Sequence, residues 1–326
     1  MCYNGGERGG TTVLASAPLG RSAQDTDTKK TTQTKEKKMR INNRESALTQ
    51  VFVRQSWLGD ALMCPERARL SALHPEMRKE NDSAMMGTAV HAGIEAVLET
   101  QIPASDIAEF SVTAFRAKEY TMMKDEGKSI NITNTDPKNW DKHIASMAEA
   151  WVKDIMPHVP EGGTPEFKFE TKICEVQTEQ FEYELWYEGT MDYFHPQGIW
   201  DWKTAARKYY EAEKQSQNIQ SSVYALSAVA LGLTEFDVKF NFGVMIRNGS
   251  STGQIVTVER TAGHGEWIKQ QTISLVNTLF AMKANLPSER WLMNDQHFLC
   301  SQRWCPVWSL CKGSHVGSDN NAEEAN

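Results

Sequence analysis

The tightest constraint on how this chain can fold is a short hairpin that puts charges where a sheet would otherwise bury apolar side chains. Residues 190–194 and 199–203 read as two strands joined by a His195-Pro196-Gln197-Gly198 turn. Asp201 and Lys203 are two apart, so they share one face of their strand, with Trp200 and Trp202 on the other. Asp192, on the preceding strand, can approach both. Two neighbouring carboxylates suit a hard cation such as Mg²⁺ through oxygen ligands. A lysine beside that cation can orient or deprotonate an attacking water, or balance charge on a phosphate. Taken alone, Asp-x-Lys on a hairpin is equally the pattern of a surface ion pair, so its meaning depends on its companions.

Around the hairpin the pattern alternates between helix and strand periods. Apolar residues at helical spacing predict helices over 56–63, 84–98, 105–122 and 136–151, with Ser56, Ser105 and Asp136-Pro137 as their openings. Alternation then predicts strands over 167–173 and 181–187 ahead of the hairpin. A long helix carries Ile219, Val223, Leu226 and Ala230 on one stripe. A strand follows over 238–246, turning at Asn248-Gly249 into 255–258, and a last helix covers 266–284. That order predicts an α/β core, a central mixed sheet flanked by helices, with an N-terminal helical insertion. Apolar residues are 40% of the chain, enough for a large core, and no apolar run is long enough to cross a membrane.

The ends differ from the middle. Residues 1–50 hold one aromatic, Tyr3, and nine Lys or Arg against five Asp or Glu, a net of +4 that leaves −11 for the rest of a −7 chain. They cannot bury enough apolar surface to offset the entropy of ordering, so 1–50 is expected to be a disordered basic arm and 312–326 a frayed polar tail around a domain at 51–311. Met39 stands just before the first structured segment and is an alternative start; the mass of the native protein decides between it and Met1. An acidic chain argues mildly against nucleic acid as a partner.

The companions of the hairpin reverse that inference. Upstream, Gly87-Thr88-Ala89-Val90-His91 opens an apolar helix; downstream, Gln220 and Tyr224 lie one helical turn apart. Read singly, His91 is a structural histidine and Gln220/Tyr224 an ordinary polar face. In order, however, GTxxH, GxxD (Gly189–Asp192), DxKT (Asp201–Thr204) and QxxxY resemble the RecB-like branch of the PD-(D/E)XK nuclease superfamily over residues 56–311. The resemblance implies a PD-(D/E)XK restriction-endonuclease-like core. It implies that His91, Asp192 and Asp201 bind Mg²⁺ or Mn²⁺, that Lys203 is the catalytic lysine beside Asp192 and Asp201, and that Gln220 and Tyr224 position the nucleic acid or the lysine. Glu170, facing away from Phe167 and Phe169, is a further metal contact by a looser match.

Six cysteines complete the reading. Cys300, Cys305 and Cys311 form C-x4-C-x5-C, and Cys64 precedes a proline as Cys305 does. Three clustered thiols and one distant one are enough for a [4Fe–4S] cluster or a tetrahedral zinc; buried free thiols are the plain alternative. The arrangement resembles AddB-type subunits and CRISPR-associated RecB-like exonucleases, in which one cysteine precedes the nuclease core and three follow, although the first C-terminal gap is longer here than is usual there. Cys2 and Cys174 stand outside the pattern. The resemblance thus implies a cytoplasmic, metal-dependent DNA exonuclease of a bacterial or phage-infected cell. It would act on single strands or DNA ends in recombination, repair or phage DNA processing, with a strand-annealing recombinase or a helicase as partner. Two other readings stay open at this point: a non-catalytic DNA-binding module of the same fold, and a zinc-stabilised endonuclease.

Overall fold

A computed structural model describes residues 39–42, 48–77, 80–124, 127, 129–132, 135–216, 218–247, 250–285, 291–297, 299–302 and 304–311. The arm through residue 38, the tail after 311 and the Asn248-Gly249 turn lie outside the described residues. In chain order the elements are β1 (Arg40–Asn42), β2 (Thr49–Val53), α1 (Gln55–Met63), α2 (Pro65–Leu73), α3 (Asp82–Leu98), α4 (Ile107–Lys124), α5 (Trp140–Asp154), β3 (Thr164–Gln177), β4 (Glu182–His195), β5 (Gly198–Ala205), α6 (Glu211–Ser216), α7 (Ile219–Ala230), β6 (Val238–Ile246), β7 (Thr252–Arg260) and α8 (Ala262–Asn285).

The seven described strands form one mixed sheet in the order β1-β2-β4-β5-β6-β7, with β3 also on β4. β2 runs parallel to β4 and β5 parallel to β6; the other pairs are antiparallel. One face carries Tyr183, Leu185, Tyr187, Phe240 and Phe242 against α1, α7 and α8. The other carries Tyr193, Trp200, Trp202 and Met245 against α3, α4 and α5. The expected α/β core is therefore present, and the N-terminal helices α3–α5 are one full layer of it.

Several expectations need correction. Residues 40–42, assigned to the arm, pair with 50–52 as β1, and 49–53 form β2. The two strands expected over 181–187 and 190–194 are one 14-residue strand, β4. Continuous pairing with β3 carries it through Glu188-Gly189, which read as a break. Ser56 lies inside α1 rather than capping it; the helix starts at Gln55. Ser105 falls in a single 3₁₀ turn before α4.

The topology makes a fork. β3 occupies one edge of β4 from end to end. On the other edge β2 covers only Tyr183–Tyr187 and β5 covers only Tyr193–His195. Residues 188–192 of β4 thus face a gap between two diverging strands.

Candidate active site

The fork collects the charged residues. Met191 and Phe194 of β4 point into one core and Tyr193 into the other, so the pleat slips by one residue at Asp192. There the carboxylate takes the place of a strand neighbour: beyond Trp200, β5 no longer pairs with β4, and the Trp202 N–H donates instead to Asp192 Oδ2 at 2.7 Å. β6 holds the opposite edge of β5 from Ile199 to Ala205, which keeps Asp201 and Lys203 in register. Their side chains meet, Lys203 Nζ lying 2.5 Å from Asp201 Oδ2. Trp200 and Trp202 fill the opposite core, as alternation requires.

Two motif glycines set how closely the flanking elements approach. A Cβ at Gly87 would fall 2.8 Å from Thr204 Oγ1 and one at Gly189 2.9 Å from the Phe169 ring. Without side chains, α3 can close on β5 and the Phe169–Tyr224 pair can cover β4. His91, one turn along α3 from Gly87, then stands with Nδ1 3.7 Å from Asp192 Oδ2. From α7, Gln220 Nε2 donates to Asp201 Oδ1 at 2.6 Å, and Asn218 fixes the start of that helix by accepting the Ser221 N–H. Tyr224 is buried beside Gln220.

Electrostatics follow from burial. Asp201 is 1% exposed. Loss of water raises its carboxyl to about 6, with the Lys203 ammonium opposing and the Asp192 charge assisting. Desolvation pulls Lys203 downward, but the charges of Asp201 and then Asp192 outweigh it and hold the ammonium above its usual range. The His91 imidazole is held below its usual value, by desolvation first and then, against the pull of Asp192, by Lys203; it is neutral at pH 7. Burial raises the Tyr224 phenol, with Asp201 adding to the effect, so it remains a hydroxyl.

Five of the expected residues meet in two groups, His91 with Asp192, and Lys203 and Gln220 with Asp201, linked by the Trp202 N–H on Asp192, and Tyr224 backs the second group. Glu170 is not among them. It is exposed and stands across from Glu188, four residues before Asp192, about 13 Å along the strand. The residue in the gap is Glu188 itself, bonded to Arg54 Nε at 2.9 Å. Gln55, which bonds Tyr224, and Tyr209, which lies within the field of Lys203 and Asp201, also belong to the neighbourhood. Arg54 and Gln55 follow directly on β2, where the sequence offered no signal because the strand itself was unrecognised.

A model of the PD-(D/E)XK nuclease superfamily matches residues 55–312. The chain belongs to the PD-(D/E)XK nuclease superfamily. No curated protein matches it. Among solved structures it is similar to "Putative exonuclease" from Eubacterium rectale, at 11% identity, with 76% of this chain and 86% of that chain covered and a TM-score of 0.45.

PD-(D/E)XK nucleases generally use Mg²⁺ or Mn²⁺, and the residues present fit such an ion. Asp201 Oδ2 is buried and accepts no well-directed hydrogen bond; its close neighbour is the Lys203 ammonium. Carboxylate oxygens and a neutral imidazole are the donors this class of cation takes. Among the described residues no three His, Cys, Asp or Glu side chains are drawn together as a formed metal site.

A second region of this nuclease gathers the C-terminal cysteines. Cys64, Cys300, Cys305 and Cys311 line one mainly apolar pocket with Met293 and Val307. Burial raises the Cys305 thiol. The segment that carries three of them is tied to α2. Glu66, fully buried, takes a two-pronged bond from Arg69 at 2.8 and 2.7 Å and accepts the Trp291 N–H, while its own N–H donates to the Leu292 carbonyl. Asn294 donates to Cys64 Sγ and to the Met63 carbonyl. No helix among the described residues is long and apolar enough to cross a membrane.

Proposed function

We propose that this nuclease is a metal-dependent DNA exonuclease of the RecB-like branch, and that its catalytic domain runs from β1 through residue 311. The observation that carries the reading is the fork, where Asp192, Asp201, Lys203, His91 and Gln220 converge on a strand edge left open by β2 and β5. His91, Asp192 and Asp201 would hold Mg²⁺ or Mn²⁺, which supplies a Lewis acid for the phosphate and lowers the pKa of water. Lys203, beside Asp201, would position the attacking water and shield the charge that grows on the phosphoryl oxygens. Gln220 fixes the rotamer of Asp201, and Tyr224 fixes Gln220. The acidic whole-chain charge is then in part a requirement of the cation site.

The four thiols around one pocket support a bound soft metal, a [4Fe–4S] cluster first and zinc second. The setting is a cytoplasmic one, in recombination, repair or phage DNA processing, with DNA ends or single strands as substrate and a separate annealing protein or helicase as partner.

End-labelled linear DNA and circular single-stranded DNA, followed in time with and without Mn²⁺, test the reading. Metal-dependent loss of the linear substrate with the circle left whole is the expected result. Cutting of the circle would replace exonuclease by endonuclease, and no cleavage of either would remove the enzymatic reading.

A further inference from the structure

The catalytic residues do not end the groove they sit in. One stretch is lined by Ser83, Gly87, His91, Lys203 and Thr204; the next shares Ser83 and Thr204 and continues past Ala205 to Arg247. Arg247 follows β6 directly, and its N–H donates to the Ala205 carbonyl at 2.7 Å. The Arg247 backbone is therefore anchored two strand residues, about 6.6 Å, beyond Lys203 along β5.

Arg247 is half-buried, and among the described residues no carboxylate forms an ion pair with it. Its recorded side-chain partner is the Ser83 hydroxyl, Nη1 to Oγ at 3.0 Å. That hydroxyl in turn donates to Asp82 Oδ1 at 3.5 Å, and Asp82, itself buried, also accepts the N–H groups of Ser83 and Thr135. From α5, His143 lies close enough to feel the charges of both Arg247 and Lys142, which hold its imidazole below the usual value after desolvation has done so first. A guanidinium has five donors in a planar fork that matches the oxygens of a phosphate. Ser83 uses one side of it and leaves the rest to the groove.

We propose that Arg247, oriented by Ser83, is a second phosphate site, which takes a phosphate of the substrate strand one step away from the scissile bond. The inference rests on the nuclease reading above and adds to it how the strand is held. The phosphate is either an internal diester or the terminal monoester of the strand, and the two are separable by experiment.

The full-length Asp201→Asn protein, expected to bind without cutting, is titrated with fluorescent single-stranded oligonucleotides bearing a 5′-phosphate, a 3′-phosphate or only hydroxyl ends, across a range of salt. Adding Arg247→Gln is expected to weaken binding about tenfold and to lower the slope of log affinity against log salt by about 0.7, the contribution of one single-strand phosphate contact. Arg247→Lys should restore most of the slope but not all of the affinity. Equal losses on all oligonucleotides identify an internal diester; a loss confined to one phosphorylated end identifies the terminal monoester and with it the polarity of the strand. Unchanged affinity and slope in Arg247→Gln overturn the proposal while leaving the nuclease reading intact. A loss of binding that Ser83→Ala reproduces through an equal fall in melting temperature, with no change in slope, also overturns it by making the pair structural. If the Asp201→Asn parent binds none of the oligonucleotides, the nuclease reading falls as well.

Discussion

The fork and the cysteine pocket are both places where the chain gathers potential ligands, but they are supported differently. At the fork every element is fixed by something other than the site: β6 holds β5, β3 holds β4, and Trp200, Trp202, Phe240 and Phe242 fill the cores on either face. The charged residues are presented by a scaffold that exists without them. At the pocket the apolar support is a small cluster of Leu70, Val307 and Cys311 with a few partly buried neighbours. The segment after α8 is tied down by backbone hydrogen bonds, the Glu66–Arg69 pair and the thiols themselves. The difference teaches that ligands on a stiff scaffold can be removed at little cost to the fold, whereas ligands that are the scaffold cannot.

The sharpest break between the regions is expected from single substitutions. Lys203→Ala or Asp201→Ala should lower metal-dependent cleavage by at least about a thousandfold, with the circular dichroism spectrum of the folded protein nearly unchanged. Full cleavage by Lys203→Ala would sink the mechanism. Cys305→Ala should do the opposite. Protein purified without oxygen should lose its brown colour and its broad absorbance near about 400 nm in this variant, and its melting temperature should drop by roughly 10 °C as the bound metal's stabilisation goes. Parent protein that is colourless and zinc-bearing would exchange the cluster for zinc, and metal-free parent protein would remove both.

Glu66→Ala tests the clasp without touching a thiol. It removes the two-pronged partner of the Arg69 guanidinium, whose side chain is 12% exposed, so a loss of about 3 kcal/mol in denaturant unfolding is expected; an unchanged midpoint would mean that the clasp does not hold the segment. The smallest effect is one of pH. The carboxyl of Asp201 is near 6 when folded and returns to about 3.8 when unfolded. The folded state therefore holds the extra proton, and this group stabilises the metal-free fold as pH falls from 7 towards 4. The gain, about 1 to 3 kcal/mol at most, should be absent in Asp201→Asn, which should also melt higher than the parent at pH 7. Equal pH profiles for the two proteins would refute the burial argument.

The hairpin was legible because its alternation, its turn and its misplaced charges lie within fourteen residues. Gly87 and Gly189 were legible as motif positions, but the reason for them, a Thr204 hydroxyl and a Phe169 ring at contact distance, is tertiary. β2 was not legible. Five residues give too little alternation, and their partner in β4 lies 134 positions away. Missing β2 meant missing Arg54 and Gln55, which it delivers to the gap. Glu170, offered by a looser match, could not be placed from the sequence for a related reason: only the β3–β4 register tells that it stands across from Glu188 and not Asp192. The cysteines could be grouped by spacing, yet nothing local marks Glu66 as the buried anchor of the segment that carries them.

The same pairing has a consequence for how the protein is made. Val51, Phe52 and Val53 are buried once β2 lies against β4. A ribosome adding about 5 to 20 residues each second needs roughly 7 to 27 seconds to deliver those partners after β2 has left it. Through that interval an apolar edge waits without its neighbour, exposed to whatever other strand it meets first. A slow stretch of message between β2 and β4 would lengthen that exposure and lower the yield of soluble nuclease, with no change in a single amino acid.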